Sequence, residues 1–498
     1  MENTNKAIFI NTIIMYARLV IVAVAGLFTT RFALNALGIN DFGLFSVVGS
    51  IISFAAILNT IMVSTTTRFI AVAIGKGEER AINDIFNVNL LIHIVIAILT
   101  MCVVVPVGSW YIENYVNFDG DITLAVKVFN ITIVGTIVSF IGVPYHGMLM
   151  AKERFFVFCF TDVIFCLIKM LGAFLLQYYF LDKLTVYSLI IALCTGAPTL
   201  IYMLYCHKTW PNMTKWRIVK ERKLYKEIAS FTGWMSYGVV ASITESQSRS
   251  LLVNTFFNTV MNASLGVANT INGFIVMFSQ NVTKSIAPQI TKSYAVGDHE
   301  RCKSLMAMSS KFSFFVIAII SIPFLLITEY VYTLWLGSVP EYAVMFVRLM
   351  IIQSLICTFN AGISDAIFAS GKVKLYQNVL NTNLLLSIPI AYLVLKSGAP
   401  AYSLFYVSIA AQTLNVFVRQ VIMHKTLKYD NKFLIKKSYL PSILVIVLFL
   451  PFTMLNISWH PIIEVLVAEL YLCALIFFVG LSKSERDTII NKVARYAK

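Results

Sequence analysis

The segment from Ile228 to Asn254 is long and apolar enough to cross a bilayer, yet it contains charged residues. Gly238, Ser242, Glu245 and Arg249 follow one another at helical spacing and therefore share one face of a helix. A charge near the centre of a bilayer costs about 2.5–3.5 kcal/mol on an insertion scale. This face is therefore expected to meet a partner helix or a watery cavity rather than lipid.

Further charged residues lie at hydrocarbon depth. Arg18 is near the midpoint of the first apolar segment and has no acid within that segment, which favours a functional role. Asp162 and Lys169 are seven residues apart in one predicted helix, so they could form a local ion pair, as could Glu245 with Arg249. In total, basic groups at depth outnumber acidic ones, which predicts a cavity that attracts anions.

Arginine suits phosphate because its planar fork stays charged and can bind two oxygens at once. The residues predicted to bind a pyrophosphate group are Arg18, Arg249, Lys169 and Arg348. The acids Glu245 and Asp162 are candidates for coupling to a proton or sodium gradient, while the Glu245–Arg249 pair also has a purely structural interpretation.

Composition identifies the class of protein. Of 498 residues, 58% are hydrophobic and 13% charged, and the mean hydropathy is +0.80. Soluble domains are about 25% charged, so we predict an all-α polytopic membrane protein. The net charge of +15 fits basic cytoplasmic loops, and no nucleic-acid-binding pattern occurs in the sequence. The eight cysteines form no CxxC pair, and we expect no metal and no cofactor.

Hydropathy predicts about fourteen transmembrane helices. They cover residues 8–30, 42–66, 86–110, 122–149, 156–180, 185–206, 228–254, 260–284, 305–329, 342–369, 376–396, 400–424, 439–456 and 461–481. With the N-terminus inside, 29 of the 39 Lys and Arg residues fall in inner segments, seven within spans and only Arg31, Lys183 and Lys396 in outer loops. This bias predicts that both termini are cytoplasmic.

A short repeat predicts two matched halves. Residues 73–78 and 295–300 share the pattern Ala-[Ile/Val]-Gly-x-x-Glu, six spans apart. An even offset preserves helix direction, so the halves are expected to be parallel repeats. The predicted organisation is a six-helix lobe over 1–206, a basic cytoplasmic linker over 207–227, a second six-helix lobe over 228–424, and two extra helices with a cytoplasmic tail over 425–498.

Other polar residues within the predicted spans have mainly structural interpretations. Lys127, Lys311 and Arg419 lie near span ends, where long side chains can reach the interface. His93 and His146 have no metal-ligand spacing. The second and eighth spans are unusually polar, through Ser53, Asn59, Thr60, Ser64, Asn262, Asn269, Asn272, Gln280 and Asn281. These residues could bond helices together or line a hydrophilic path for sugar hydroxyls, and the sequence leaves both interpretations open.

The first two helices carry a family resemblance. Residues 26–32 read Gly-Leu-Phe-Thr-Thr-Arg-Phe, and residues 37–45 read Leu-Gly-Ile-Asn-Asp-Phe-Gly-Leu-Phe. The LG-x-x-x-aromatic-G turn, the six-plus-six repeat and the two extra helices resemble bacterial polysaccharide exporters. These are the O-antigen and capsule-repeat flippases, which are related to the lipid II flippase and to multidrug-and-toxin extrusion transporters.

The resemblance implies a V-shaped pair of lobes around a central cavity, lined by the first helix of each lobe. Cationic residues there would hold a lipid pyrophosphate, and Arg18 and Arg249 occupy the first and seventh spans. The lipid II flippase pattern also has basic residues deep in the second and eighth helices. Here those helices carry amides and hydroxyls, with Lys284 only at the inner edge, which argues against lipid II as the substrate.

The expected function is therefore a flippase of the bacterial cytoplasmic (inner) membrane for a polyprenyl-pyrophosphate-linked oligosaccharide in O-antigen, lipopolysaccharide or capsule biosynthesis. Its expected partners are membrane lipid, the lipid-linked oligosaccharide and the polysaccharide polymerase machinery. A multidrug or organic-cation antiporter of the same superfamily is the alternative and requires an acid-dominated cavity. A membrane enzyme is disfavoured because no ATPase or hydrolase motif and no large outer loop occurs in the sequence.

Overall fold

The computed structural model of the chain describes residues 2–76, 78–178, 182–453, 460–487 and 490. These residues are almost entirely helical and include no β-strand, which confirms the all-α prediction. The long helices are α1 (Glu2–Leu37), α2 (Ile39–Lys76), α3 (Glu79–Tyr115), α4 (Ile122–Ala151), α5 (Phe155–Tyr178), α6 (Lys183–Thr209), α7 (Arg222–Phe256), α8 (Thr259–Ala295), α9 (His299–Leu326), α10 (Ala343–Thr358 with Ile363–Ala369), α11 (Val373–Lys396), α12 (Ser403–Leu427), α13 (Lys432–Thr453) and α14 (Pro461–Gly480).

The described helices correspond in order to the predicted spans. By length and apolar character, 11 of them can cross a membrane, or 12 if the bent helix α10 counts as one span. The helices α7 and α12 do not reach this standard because polar residues interrupt their apolar runs. The predicted count of fourteen spans is therefore not confirmed. The predicted ends at 179–180 and 454–456 lie outside the described residues.

Local sequence signals position the helix ends. Asp121, Asp182 and Asp298 each precede a helix and accept a hydrogen bond from a backbone N–H of its first turn. These caps satisfy donors that a helix start otherwise leaves unpaired. Gly38 has a φ of +81°, which allows the sharp turn between α1 and α2.

The helix contacts divide the chain into two compact units, Met1–Thr270 and Ile271–Lys498. In the first unit, α1 packs on α5, α4 on α6, and α2 on both α4 and α7. The α4–α6 contact is very close, since a Cβ at Gly135 would lie 2.4 Å from the carbonyl oxygen of Ala192. The predicted lobe and linker boundaries stay predictions.

In the second unit, α9 packs against α10 and α14, and α12 packs against α10 and α11. An apolar cluster that includes Phe314, Val445 and Leu472 joins α9 to the last two helices. The order of helices repeats after six. The second helices begin at Ile39 and Thr259 and the third at Glu79 and His299, a spacing of 220 residues in both cases.

The basic connection before α7 is held by the buried side chains of Asn83 and Asn87 in α3. Asn83 of α3 is 7% exposed, and its Nδ2 donates to the carbonyl oxygens of Met213 and Lys215 at 3.0 and 2.8 Å. Arg217 also pairs with Asp84 at 2.5 Å. This connection is therefore anchored to the first unit rather than hanging free from it.

Candidate functional site

Arg18 lies at the middle of α1 and binds an acid on another helix. Its Nε and Nη2 atoms both lie 2.6 Å from Oδ2 of Asp162 in α5. Such a short pairing of two charged groups is stronger than a neutral hydrogen bond. The side chains of Arg18 and Asp162 keep 27% and 35% of their surface exposed, so the pair is not fully enclosed by protein.

Aromatic side chains border this ion pair. The ring of Phe158, one turn before Asp162 in α5, lies 4.6 Å from the guanidinium carbon of Arg18. The ring of His146 in α4 stacks on the ring of Phe158 with 4.6 Å between ring centres. The ring centre of Tyr202 in α6 lies 5.7 Å from that of His146. A cation over an aromatic face is electrostatically favourable. We call Arg18, Asp162, Phe158, His146 and Tyr202 the Arg18 cluster.

Most of this cluster is not predicted by the sequence. The sequence allows an ion pair between Asp162 and Lys169, but the structure pairs Asp162 with Arg18, and Lys169 forms no ion pair with any described residue. His146 was assigned a structural role, yet it lies beside the cluster, and its Nε2 is buried without a hydrogen-bond partner among the described groups. The spacing of Phe158 and Asp162, four residues on one helix face, was the one local signal available.

Arg249 forms the predicted local pair. Its Nη2 lies 2.5 Å from Oε1 of Glu245, four residues earlier in α7. The two side chains are 14% and 8% exposed and are thus more enclosed than Arg18 and Asp162. Arg18 and Arg249 therefore each have their own carboxylate, one supplied by a distant helix and one by the same helix.

Arg348 belongs to the second unit. It lies in α10, is partly exposed, and its Nη2 approaches the carbonyl oxygen of Leu325 at 3.4 Å. That distance is long for a hydrogen bond, so Arg348 is only loosely held. The structure thus brings Arg18 and Asp162 together and Arg249 and Glu245 together, whereas Lys169 forms no ion pair with Asp162.

Lys311 corrects one sequence expectation. It was expected to reach the membrane surface, but its Nζ lies 2.6 Å from Oε2 of Glu485 and its side chain is 5% exposed. Glu485 also accepts hydrogen bonds from the backbone and hydroxyl of Ser482. Burial raises the pKa of Glu485, but these bonds from Lys311 and Ser482 outweigh burial and hold the pKa below its ordinary value. Lys127 instead reaches Asp182 at 3.8 Å and is well exposed, as expected for a span end.

The polar residues of α2 and α8 divide between the two interpretations. Asn59, Asn262 and Asn272 each form a hydrogen bond with a serine on another helix. Asn269 and Gln280 are exposed instead and lie on one face of α8 together with Lys284. Exposed amides and a charge are costly against lipid, so this face suits water. The side chains of Thr60 and Ser64 lie outside the described residues.

No protein-family model and no curated protein sequence matches the chain. Solved structures do share its fold. An inward-facing multidrug-resistance MATE-family transporter of the MOP superfamily is 12% identical with a TM-score of 0.70, covering 83% of this chain and 99% of that chain. The lipid II flippase MurJ, in an inward closed conformation, is also 12% identical with a TM-score of 0.65, covering 94% and 98%.

A third similar structure is a MOP-superfamily transporter from Pyrococcus furiosus, described as having a reverse polarity of the binding pocket that suggests a different function. It is 13% identical with a TM-score of 0.56, covering 83% of this chain and 96% of that chain. These three proteins are two transporters and a flippase. The chain therefore has the membrane-transporter fold that the MATE transporters share with the lipid II flippase MurJ.

Proposed function

We propose that this chain is a flippase that moves a polyprenyl-pyrophosphate-linked oligosaccharide across the bacterial cytoplasmic membrane by alternating access. The observation that supports the proposal best is Arg18, a cation with a 27% exposed side chain in the middle of helix α1 and of the predicted span 8–30. Nothing in an ordinary helix bundle requires a charge at that depth, because its burial costs free energy. Binding of an anionic substrate during each transport cycle gives this charge a function.

Arg18 retains capacity for a phosphate. A guanidinium has five N–H donors, and Asp162 occupies only the Nε and Nη2 groups. A phosphate with two negative charges can share the fork or displace Asp162 from it. Phe158 keeps the guanidinium plane oriented during this exchange, because the ring contact does not depend on the anion.

The carboxylates provide a route for coupling to an ion gradient. Protonation of Asp162 would weaken its hold on Arg18 and make the cation available to substrate, whereas release of the proton would compete substrate away. The Glu245–Arg249 pair has the same chemistry in a more enclosed setting. We assign Arg249 a second phosphate contact and keep Lys169 and Arg348 as accessory basic groups for the same substrate.

The glycan and the lipid require different surroundings. The exposed face of α8 with Asn269 and Gln280 suits sugar hydroxyls, and the polyprenyl chain stays in the bilayer. The substrate enters from the cytoplasmic side, where both termini are placed, and the product is released at the outer side. Polysaccharide polymerase machinery would consume it there. The nature of the glycan, whether O-antigen or capsule repeat, is set by contacts along this face.

A multidrug or organic-cation antiporter is the second candidate, because one of the similar structures is a multidrug transporter. An organic cation needs a carboxylate that is not already neutralised. Asp162 and Glu245 each pair with an arginine, so neither carboxylate offers an uncompensated negative charge to an organic cation. Drug-resistance profiles of cells with and without the protein distinguish the two functions.

The decisive experiment is a flipping assay in proteoliposomes with a fluorescent polyprenyl-pyrophosphate oligosaccharide. We expect Arg18→Ala to lower the rate about tenfold or more, since a charge-assisted contact with an ion is worth about 1.5–3 kcal/mol. Arg217→Ala, which removes an arginine of the connection before α7 from its ion pair with Asp84 in the first turns of α3, serves as the matched control. A well-folded Arg18→Ala protein that flips at the wild-type rate would contradict the proposal.

A further inference from the structure

A crevice separates the outer halves of α11 and α12 in the second unit. Its volume is about 510 Å³. Its walls are two facing helix stripes, formed by Asn383, Ser387, Ile390 and Val394 on α11 and by Ser403, Tyr406, Val407, Ala410, Ala411 and Leu414 on α12. Most of these side chains are small or apolar, and Ile390, Tyr406 and Leu414 are about half exposed along the mouth. The crevice therefore opens sideways to the medium around the helices.

The crevice is as long as one leaflet is thick. From Val394 to Asn383 the chain advances 11 residues, or about 16 Å along a helix, and half of the hydrocarbon core measures about 15 Å. The deep end is closed by Asn383, whose Nδ2 donates to Ala411 O and to Asn415 Oδ1, both at 2.9 Å. A chain entering from the surface thus meets a stop near the bilayer centre.

The surface end carries polar groups. Ser403 is 8% exposed, lines the crevice, and its Oγ has no hydrogen-bond partner in the described part of the chain. It is the first residue of the 25-residue helix α12, whose N-terminus favours negative charge. Lys396, the last residue of α11, is exposed and makes no ion pair with any described residue.

We propose that this crevice is a binding site for one anionic phospholipid of the outer leaflet. One acyl chain fills the apolar slot down to Asn383. The Ser403 hydroxyl donates to an ester or phosphate oxygen, and the Lys396 ammonium attracts the phosphodiester. The outer position follows from the charge distribution, in which Lys396 is one of only three basic residues in predicted outer loops.

The lining excludes water as the natural occupant. A bound water needs two to four polar partners, and apart from Tyr406 at the mouth the walls between Ser387 and Ser403 offer aliphatic and alanine surface. Leaving the slot empty would forfeit the contacts that a close-packed interior provides. A hydrocarbon chain satisfies both conditions, and only its head group needs the charged end.

The test is native mass spectrometry of the full chain purified in detergent, supplied with equal amounts of phosphatidylglycerol and phosphatidylethanolamine. We expect wild-type protein to retain one phosphatidylglycerol. Ala410→Phe, which fills the slot from an exposed position, is expected to reduce retention about tenfold or more. Val421→Phe adds the same ring to α12 at an exposed position outside the crevice and should bind like wild type.

Lys396→Gln tests the head-group contact without touching the packing. It should abolish the preference for phosphatidylglycerol over phosphatidylethanolamine while leaving some lipid bound. Equal retention by Ala410→Phe and Val421→Phe would overturn the site. Equal retention of both lipids by wild type, or a broad series of loosely bound lipids, would overturn the anionic specificity. None of these outcomes depends on flipping activity, so they are independent of the proposed function.

Discussion

Gly43 is a point of very close approach between α2 and α8, and substituting it should open that contact. A Cβ at this position would lie 1.7 Å from the carbonyl oxygen of Thr259 and 3.2 Å from the backbone nitrogen of Ala263. Hydrogen bonds reinforce the same region, from Thr259 to Asn40 and between Asn117 and Asn254. We call this contact the α2–α8 seam.

The size of the effect follows from the geometry. Ordinary Cβ contacts begin near 3.4 Å, so Gly43→Ala requires a backbone separation of about 1.7 Å. The obstacle is main chain rather than a flexible side chain, so rotamer changes cannot relieve it. Overpacking of this kind costs about 1–3 kcal/mol, which lowers the ratio of molecules with a closed α2–α8 seam to molecules with an open one by about 5- to 150-fold.

Cysteine labelling measures the opening. Ala263→Cys places a thiol that is fully buried at the seam, in a background with the eight native cysteines replaced. We expect Gly43→Ala to raise the rate of maleimide labelling at position 263 at least fivefold and to lower the melting temperature in detergent. Gly49→Ala is the matched control, because a Cβ there meets nothing within 4 Å. If both alanine variants label and melt alike, the close approach at Gly43 does not hold the seam.

Two further predictions concern the charged and amide anchors. Lys311→Met should destabilise the fold by about 3 kcal/mol, the low end for breaking a buried pair because Glu485 is partly exposed, and adding Glu485→Leu should restore much of the loss in thermal melts. Because the pKa of Glu485 is lowered in the folded state, the carboxylate stabilises the fold above about pH 4.3, and this stabilisation is lost as the pH falls through the folded pKa. Glu485→Gln should therefore make the free energy of unfolding depend less on pH in the acid range. Asn83→Ala should cost about 1–3 kcal/mol and speed tryptic cleavage of the basic connection before α7, whereas Asn114→Ala, whose amide bonds only its own helix, should leave cleavage unchanged.

The fold class followed from local information. Long apolar runs and basic inner segments are properties of neighbouring residues, so hydropathy alone gave the helices in the right order. The sequence predicts spans at 228–254 and 400–424, but the count of fourteen is not confirmed, because the corresponding helices α7 and α12 are too polar to qualify by apolar character alone. Packing in a bundle tolerates polar faces that lipid does not.

The candidate site was only partly predictable. The Glu245–Arg249 pair joins residues four apart, a spacing that a helix converts directly into a contact. The Arg18–Asp162 pair joins residues 144 apart, so no periodicity indicates it. The same holds for Lys311, whose partner Glu485 lies 174 residues away and turned an expected surface lysine into a buried one.

The sequence by itself determined that this is a helical membrane protein. It did so because hydrophobicity, charge and helical spacing act over a few residues. Only the tertiary structure decided which acid holds Arg18, which aromatic rings border it, and that a lipid-sized crevice separates α11 from α12. Those features depend on how distant helices pack, and packing is settled by the shapes of surfaces that lie far apart along the chain.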